Sequence, residues 1–386
     1  MRDTVSMPVR NIFLVGIDVD SMGGSQRVLH TLAQGMGERG HRVELIGIRP
    51  SPEPFRYNRE PSYRHTTLYP EPAQPVRSSR TLTQRLSPAR RLAARRARAD
   101  RDLARVRLTA SLSAVREGYL VIGSPWAADW ILSLGWQHLK GIGQYHESFM
   151  QAQASANLKL ILRHYPLLDK MLVLSQDDAV QFRNRRMPNV SVMPNPLPFC
   201  PDEAAPLDTL RLGAVGRLDP VKRLDRLIEA FATVAPERPG WELHLFGEGP
   251  MEDDLRAEAV RLGVGERVLF RGTISDIRTA YQELSLVCVT SEREGRPMSL
   301  AESSACGVPC VSFNLSGGVR DLVEHEKTGI LVLAGDVPAF AAALGELMDD
   351  HKRRLQYGAA AREHMSALAL PNVLDRWERL FIELDR

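Results

Sequence analysis

The sequence predicts an α/β protein with two doubly wound parallel-sheet domains, and three observations support this prediction. The chain has 386 residues, which is more than one hydrophobic core usually organises. Short apolar runs alternate with amphipathic segments almost from end to end, a pattern typical of parallel sheets covered by helices. Prolines concentrate between residues 194 and 206, where we expect an interdomain linker.

The apolar runs supply the predicted strands of both sheets. In the first half of the chain they are Asn11–Ile17, Arg42–Ile48, Tyr119–Gly123, Gly141–Tyr145, Met171–Leu174 and Val190–Met193. In the second half they are Leu210–Val215, Glu242–Phe246, Arg267–Phe270, Ser285–Val289, Pro309–Phe313 and Gly329–Val332. Residues 50–87 are rich in proline, arginine and serine, so we expect a long loop there. We place one domain at residues 1–200, a second at 206–370, and a final amphipathic segment at 371–386.

The helix with the clearest sequence signal follows Asp219. This aspartate is expected to cap the helix, with Pro220 at the first helical position. Spacings of three and four residues then predict one buried apolar face, which consists of Leu224, Leu227, Ile228, Phe231 and Val234.

Composition excludes several classes of protein. With 44% hydrophobic and 25% charged residues, the chain is an ordinary globular sequence. Its net charge of +3 is too small for a nucleic-acid-binding protein. The four cysteines show no Cys-x-x-Cys spacing and predict neither a metal site nor a disulfide framework. No apolar run is long enough to cross a bilayer, and Ile12–Ile17 is too short for a signal peptide, so a cytoplasmic location is expected.

Basic residues concentrate in one segment of the chain. From Arg77 to Arg107 the arginines are opposed only by Asp100 and Asp102. The apolar side chains of this stretch share one helical stripe, which consists of Leu92, Ala99, Leu103, Val106 and Ala110. A basic amphipathic helix predicts peripheral contact with an anionic membrane or an anionic polymer. The alternative is a solvated helix that covers one face of the sheet.

The first of three candidate binding motifs is a glycine turn after the first strand. Gly23 and Gly24 lead into a helix with an apolar face. Paired glycines let a backbone approach a ligand, and a helix N-terminus favours an anion. The turn lacks the Gly-x-Gly-x-x-Gly pattern of dinucleotide-binding proteins. Asp18 and Asp20 form an Asp-x-Asp pair, but its position at the tip of the first strand fits a metal site poorly, and we predict no metal site.

The second motif, from Gly216 to Lys222, follows the first strand of the second half. In open parallel sheets, ligands bind at the carboxyl ends of strands near the topological switch point. Arg217 and Lys222 are therefore candidates to neutralise a diphosphate, with a solvated helix terminus as the alternative.

The third motif, from Ser291 to Glu302, also follows a predicted strand. We expect Glu294 in a loop and Glu302 on a helix that Pro297 opens. One carboxylate can accept hydrogen bonds from both vicinal hydroxyls of a ribose. The backbone N–H groups expected to face an anion or sugar hydroxyls at the helix start are those of Met298, Ser299 and Leu300.

The second half of the chain resembles the retaining glycosyltransferases of family 4. These enzymes have the GT-B architecture, in which two Rossmann-like domains enclose a deep interdomain cleft. The motifs that carry the resemblance are Gly216-Arg217 with Lys222, Gly247-Glu248-Gly249-Pro250, Phe270-Arg271-Gly272, the pair Glu294 and Glu302, and Gly307-Val308-Pro309. The first half matches more loosely, through Gly23-Gly24, His146 and Pro194-Asn195-Pro196.

The resemblance implies a reaction and a set of catalytic residues. A hexose, glucose or N-acetylglucosamine, would move from a UDP-sugar to an acceptor hydroxyl with retention of anomeric configuration and without an essential metal or other cofactor. Arg217 and Lys222 would hold the diphosphate and stabilise charge on the departing nucleotide. Glu294 would contact the donor sugar. His146 would face that sugar from the other domain, although a buried structural histidine is the alternative.

The resemblance also implies which residues bind the donor. Glu302 would bind the ribose, and the N–H groups of residues 298–300 would hold the sugar and phosphate. The remaining donor-binding residues would be Gly23 and Gly24, Gly247 and Gly249 around the nucleoside, and Arg271 to Ile274 beside the base. The first domain would bind the acceptor, and segment 371–386 would cross back to it. Arg296 replaces a usually apolar residue and is a candidate contact to the donor sugar or to an anionic acceptor.

Several alternatives remain open at this point. The acceptor is expected to be a cell-envelope glycan, a teichoic-acid-like polymer or a lipid-linked glycan, with a small natural product as the alternative. A sugar-nucleotide epimerase would share the architecture but would use no acceptor. A nicotinamide-dependent oxidoreductase would need the missing glycine pattern, and a non-catalytic sensor would not need Glu294 together with Arg217 and Lys222.

Overall fold

Each half of the chain folds into a parallel sheet covered by helices. The computed structural model describes residues 8–70 and 88–386. The strands in the first half are β1 (Asn11–Gly16), β2 (Arg42–Gly47), β3 (Arg64–Thr67), β4 (Tyr119–Ile122), β5 (Lys140–Gln144), β6 (Lys170–Val173) and β7 (Val190–Val192). The helices around them are α1 (Gly24–Glu38), α2 (Pro88–Ser113), α3 (Pro125–Ile131), α4 (Phe149–Gln153), α5 (Asn157–His164) and α6 (Gln176–Asn184).

The second half repeats this arrangement. Its strands are β8 (Arg211–Val215), β9 (Glu242–Phe246), β10 (Val268–Gly272), β11 (Leu286–Val289), β12 (Cys310–Asn314) and β13 (Gly329–Leu333). Its helices are α7 (Leu224–Val234), α8 (Glu252–Arg261), α9 (Ile277–Gln282), α10 (Met298–Ala305), α11 (Gly317–Arg320), α12 (Val337–Asp349), α13 (His351–Met365) and α14 (Leu370–Leu384).

Both sheets have the strand order of a doubly wound fold. In the described residues the first sheet runs β3-β2-β1-β4-β5-β6-β7 and the second runs β10-β9-β8-β11-β12-β13. The chain reverses its winding direction between β1 and β4 in the first sheet and between β8 and β11 in the second. The loops after β1, β8 and β11 carry the three predicted motifs, and a ligand site is expected at such switch points. The predicted architecture of two parallel-sheet domains is confirmed.

The predicted strands all form, each within two residues of its expected limits. Strands of a parallel sheet are buried on both faces, so they appear in the sequence as continuous apolar runs. The expected long loop at residues 50–87 is wrong in one place, because it contains β3. This strand is polar and partly exposed, and it pairs with β2 at the sheet edge. Residues 71–87 of the same segment lie outside the described residues.

The helix predicted after Asp219 begins later than expected. The Asp219 Oδ1 atom accepts hydrogen bonds from the backbone N–H groups of Val221 at 3.1 Å and Lys222 at 3.2 Å, which closes a turn. Arg223 then adopts a left-handed conformation with φ 47°, and α7 starts at Leu224. The predicted apolar face of the helix is buried, as expected. Lys222 is consequently held on a turn rather than on a helix.

The last helix, α14, packs against the first domain. Its buried side chains join the core around β1, β2 and α1, and they are Val373, Leu374, Trp377, Leu380 and Phe381. Arg39 on the first domain pairs with Asp375 at 2.7 Å and with Glu378 at 3.0 Å. Apolar burial and ion pairs therefore both hold α14 on the first domain.

The basic segment forms α2, with its apolar stripe on the solvent side. Arg77, Arg80 and Arg85 of this segment lie outside the described residues. The side chains of α2 that pack in the core of the first domain are Ala104, Leu108 and Leu112. The exposed members of the predicted stripe include Leu92, Leu103 and Val106. Within residues 8–70 and 88–386, no helix combines the length and apolar character needed to span a membrane.

Replacing Trp377 with alanine should destabilise the protein, because this fully buried side chain lies in the core that α14 shares with the first sheet. Removing a buried tryptophan leaves a cavity and typically costs about 3–5 kcal/mol of the free energy of unfolding. Urea unfolding measures this difference. Arg379→Ala, on the exposed face of the same helix, is the control and should change the free energy by less than about 0.5 kcal/mol. Superimposable curves for Trp377→Ala and the wild type would contradict the prediction.

Candidate functional site

A cleft of about 780 Å³ lies between the domains, bordered by loops at the carboxyl ends of both sheets. This volume is in the range typical of ligand-binding sites. The predicted site residues that line it are Gly23, Gly24, His146, Arg217, Lys222, Gly247, Ile274, Glu294, Met298, Ser299 and Glu302. The structure thus brings most residues of the three motifs, together with His146, to one cavity.

Three predicted site residues lie outside the cleft lining. Gly249 packs against a backbone turn, where a Cβ would lie 2.4 Å from the Leu218 carbonyl oxygen. Arg271 lies exposed on β10. Leu300 is buried, and its N–H donates to the Pro297 carbonyl at 3.2 Å. At the start of α10, the residues that line the cleft are therefore Met298 and Ser299.

The glycine turn after β1 is held by a tyrosine that sequence analysis missed. The Gly23 N–H donates to the Tyr57 hydroxyl at 2.9 Å, and this hydroxyl donates to the Ser21 carbonyl at 2.8 Å. Asp18 accepts hydrogen bonds from the N–H groups of Asp20 and Ser21 and is thereby built into the turn. The turn directs the N-terminus of α1 at the cleft, where positive helix-dipole charge accumulates.

An ion pair occupies the second-domain wall of the cleft. Lys222 Nζ lies 2.6 Å from Glu294 Oε1, which also accepts a hydrogen bond from the Ser291 hydroxyl at 2.7 Å. The strand-end loops meet tightly here: a Cβ at Gly247, whose φ is 132°, would lie 2.1 Å from the Gly216 carbonyl oxygen. Only glycine fits such a conformation at such a distance. Close packing of these two loops fixes the turn that carries Lys222.

Glu302 is buried at the domain boundary and bonds to both domains. Its carboxylate lies 3.4 Å from Arg27 Nη1 of the first domain and accepts a hydrogen bond from the Tyr281 hydroxyl at 3.1 Å. Burial raises the pKa of Glu302, and the nearby Arg27 charge and the Tyr281 hydrogen bond partly oppose that shift. Arg27 was missed, although its place in the first turn of the helix after Gly23 and Gly24 could have indicated it.

His146 lines the cleft, and one of its ring nitrogens has no hydrogen-bond partner among the described residues. Its Nδ1 atom lies 3.2 Å from the Asn195 side-chain oxygen, so Nδ1 carries the proton. Its Nε2 atom is buried and has no hydrogen-bond partner among the described residues. Burial lowers the pKa of His146 to about 4, although the Asn195 hydrogen bond raises it in part. At neutral pH this histidine is therefore uncharged and offers Nε2 as a hydrogen-bond acceptor.

The first-domain wall also carries polar and aromatic residues that no motif indicated. Those beyond the predicted set include Ser124, Trp126, Tyr145, Glu147, Gln151 and Asn157. They come from the loops and helices after β4 and β5. Tyr145 and Glu147 flank the predicted His146, and Ser124 with Pro125 has the pattern of a helix cap followed by a proline at the first helical position. The others are isolated residues in the sequence.

Arg296 joins the two domains. Its guanidinium donates to the Leu174 carbonyl of the first domain at 3.0 Å and lies 3.3 Å from Asp321 of the second. Arg296 also lines the cleft, so its expected contact with a sugar or an anionic acceptor stays a prediction. Beside it, a Cβ at Gly295 would lie 2.8 Å from the Ser148 nitrogen, so the domains approach to backbone contact.

The cleft combines the groups needed to bind a phosphorylated sugar. Arg217 is exposed in its wall and Lys222 lies on the adjacent turn, while the N-termini of α1 and α10 both border it. Cations and helix N-termini stabilise negative charge, including the charge that develops on a departing diphosphate. The opposite wall offers a neutral imidazole and hydrogen-bonding groups, which suit sugar hydroxyls.

Comparison with known proteins assigns this fold to a class, the GT-B glycosyltransferases. The model of Glycosyltransferase Family 4 matches residues 22–198, and the model of Glycosyl transferases group 1 matches residues 201–364. The chain belongs to the family 4 glycosyltransferases, so the predicted family is confirmed, while retention of anomeric configuration stays a prediction.

Individual relatives are distant. An exopolysaccharide phosphotransferase of Streptomyces coelicolor is 27% identical over 95% of this chain, and a poly(ribitol-phosphate) alpha-N-acetylglucosaminyltransferase of Staphylococcus aureus is 24% identical over 61%. The chain spans 40% of the first relative and 49% of the second. A solved structure of a mutant of S. aureus TarM, in complex with Fondaparinux, alpha-GlcNAc-glycerol and UDP, has a TM-score of 0.78 at 13% identity. It covers 97% of this chain and 100% of that one. At this identity, the likeness shows a shared fold.

The burial of His146 gives a testable pH dependence. The His146 ring resonance should titrate with a midpoint near pH 4, below the ordinary value of 6.5. Below about pH 6.5 the unfolded chain binds the proton more readily than the folded chain does. The contribution of His146 to the free energy of unfolding is therefore constant only above about pH 6.5. It decreases as the pH falls towards 4. Carbon–proton NMR of the imidazole carbons measures the midpoint, with His146→Gln identifying the resonance. A midpoint near 6.5 would overturn the assignment of a buried neutral imidazole.

Proposed function

We propose that this protein transfers a hexose, glucose or N-acetylglucosamine, from a UDP-sugar to a hydroxyl of a cell-envelope glycan, with retention of anomeric configuration. One observation carries the proposal. The cleft places Arg217, Lys222 and the start of α10 on one wall, with the neutral His146 on the other. This arrangement matches what a sugar diphosphate presents, an anionic group at one end and hydroxyls at the other.

In this proposal Lys222 exchanges its partner when the donor binds. Its ammonium group pairs with Glu294 in the present structure. A diphosphate that reached Arg217 and Lys222 would compete for that ammonium group and release the Glu294 carboxylate towards the sugar. Cationic side chains and helix N-termini would then stabilise the departing nucleotide. With these groups supplying the positive charge, no essential metal or other cofactor is proposed.

The ribose is assigned to Glu302, whose buried carboxylate lies within the cleft lining. Arg27 contacts Glu302 at 3.4 Å, which is long for a hydrogen bond. Ribose hydroxyls would therefore displace a weak contact and leave the shorter Tyr281 bond in place. The UDP bound to the structural neighbour TarM supports a uridine nucleotide. The N-acetylglucosaminyltransferase relative supports a cell-envelope acceptor.

The donor assignment is tested by thermal shift on the wild type and on Glu302→Ala. The nucleotides are UDP, GDP and ADP, with their glucose, N-acetylglucosamine and mannose conjugates, with and without EDTA. A ligand that binds only the folded state adds about 2.7 kcal/mol of stability at a hundred times its dissociation constant. We expect a shift with uridine nucleotides that EDTA leaves unchanged and that Glu302→Ala abolishes. Glu229→Ala, at an exposed position of α7, is the control and should keep the shift.

Two results would contradict the donor assignment. An equal shift in Glu302→Ala would exclude the ribose role, and a preference for guanine or adenine nucleotides would exclude UDP. Product NMR after incubation with the preferred donor then reports the anomeric configuration.

We also propose that α2 contacts an anionic membrane surface at its periphery. Support comes from the exposed side chains of Leu92 and Val106, which are 54% and 65% exposed, among the arginines of the same helix. Sedimentation with vesicles of anionic phospholipid should capture the wild type, and Arg95→Glu with Arg96→Glu should reduce capture at least about threefold. Arg278→Glu, an exposed charge reversal in the second domain, is the control. Equal capture of all three proteins would exclude this role for α2.

A further inference from the structure

An exposed tryptophan projects into the cleft from the first domain. Trp126 lines the cavity and keeps 54% of its surface exposed. A covered tryptophan side chain buries about 150–250 Å² of surface. A ligand that covers an exposed indole in a cleft therefore gains binding free energy from that burial. Tryptophan is also enriched among the residues that dominate binding energy. The position of Trp126 therefore indicates a ligand surface on the wall opposite the diphosphate-binding cations.

A fixed carboxylate lies on the same wall as Trp126. Glu147 Oε2 accepts hydrogen bonds from the Tyr145 hydroxyl at 2.8 Å and from the Asn157 side-chain amide at 3.0 Å. Its other oxygen, Oε1, makes no hydrogen bond within residues 8–70 and 88–386. A carboxylate held through one oxygen presents the other as a pre-positioned acceptor for a hydroxyl. Glu147 directly follows His146, so the free carboxylate oxygen of Glu147 belongs to the residue next to the one assigned to the donor sugar.

The charges on this wall favour a neutral sugar over a phosphate group as the acceptor. Among the described first-domain residues that line the cleft, the cation is Arg27, and it is paired with Glu302. The groups around Trp126 are one carboxylate, Glu147, and neutral side chains such as Ser124 and Gln151. A phosphate group placed there would meet the like charge of Glu147, while the cleft-lining cation Arg296 already donates to the Leu174 carbonyl and pairs with Asp321. A neutral sugar ring would meet an aromatic face and hydrogen-bonding groups instead.

We propose that Trp126 and Glu147 form the acceptor subsite, and that the group bound there is an uncharged sugar ring. This inference rests on the proposed function, because it assigns the second substrate of the same cleft. The apolar C–H face of the ring stacks on the indole of Trp126, and a ring hydroxyl donates to Glu147 Oε1. The acceptor is then a saccharide, either free or at the end of a longer chain, and a polyol phosphate does not fit this subsite.

The test uses the full chain with saturating UDP and saturation-transfer NMR. The probes are methyl glucopyranoside, methyl mannopyranoside and methyl N-acetylglucosaminide, with ribitol phosphate as the anionic probe. We expect saturation of the ring C–H protons of at least one pyranoside and none for ribitol phosphate. Trp126→Ala should raise the dissociation constant of that pyranoside at least about tenfold, and Trp126→Phe should keep it within about threefold of the wild-type value.

A matched control separates stacking from a general loss of surface. Leu167 is an exposed apolar residue, 66% exposed, that is not among the cleft-lining residues. Leu167→Ala should bind the pyranoside as the wild type does. Glu147→Gln should weaken the same binding at least about fivefold, because the fixed carboxylate oxygen is lost to an amide.

The outcomes separate this inference from the proposed function. Unchanged pyranoside binding in Trp126→Ala, binding of ribitol phosphate alone, or binding of none of the probes would overturn the subsite. UDP binding in the same samples reports on the donor site independently. Failure of UDP to bind the wild type would remove the proposed donor, while the pyranoside titrations would still decide whether Trp126 forms a sugar platform.

Discussion

The geometry of the cleft depends on a contact between backbones at Gly295. A Cβ on this residue would lie 2.8 Å from the Ser148 nitrogen and 2.9 Å from the Glu147 Cα, so any side chain would push the first-domain loop away. The same loop carries His146, and Glu294 directly precedes Gly295. Both walls of the cleft are therefore positioned by one close approach. Arg296, which donates to the Leu174 carbonyl, reinforces that approach from the adjacent position.

The two walls of the cleft have different chemical character. The second-domain wall contains Arg217 and the paired Lys222 and Glu294, while the first-domain wall contains neutral polar groups, an indole and the carboxylate of Glu147. This division follows from the fold, because each switch point contributes its own set of strand-end loops. Ligands of different charge can then bind on opposite sides of one cleft.

The strands and the second-domain wall of the cleft were easier to predict from the sequence than the first-domain wall. Buried parallel strands appear as apolar runs, and the predicted residues of the second-domain wall lie in short contiguous motifs. The edge strand β3 was missed because its sequence is polar, and the start of α7 was misplaced because Asp219 closes a turn. Trp126, on α3, and Glu147, in the loop after β5, follow different strands, and only the folded chain brings them to one wall. Long-range hydrogen bonds, such as that between His146 and Asn195, likewise have no local signature.

The packing of α14 on the first domain has a consequence for how the protein is made. Arg10, at the start of β1, bonds to Asp385, which is 375 residues away in sequence. Trp377 and Phe381 complete a core whose other members belong to the first sheet and α1. On the ribosome, the first domain therefore emerges without α14, whose side chains complete its core. That helix becomes available only after the whole second domain has been synthesised. During that interval an apolar face of the first domain stays uncovered, and exposed apolar surface of this kind makes a folding chain prone to aggregation.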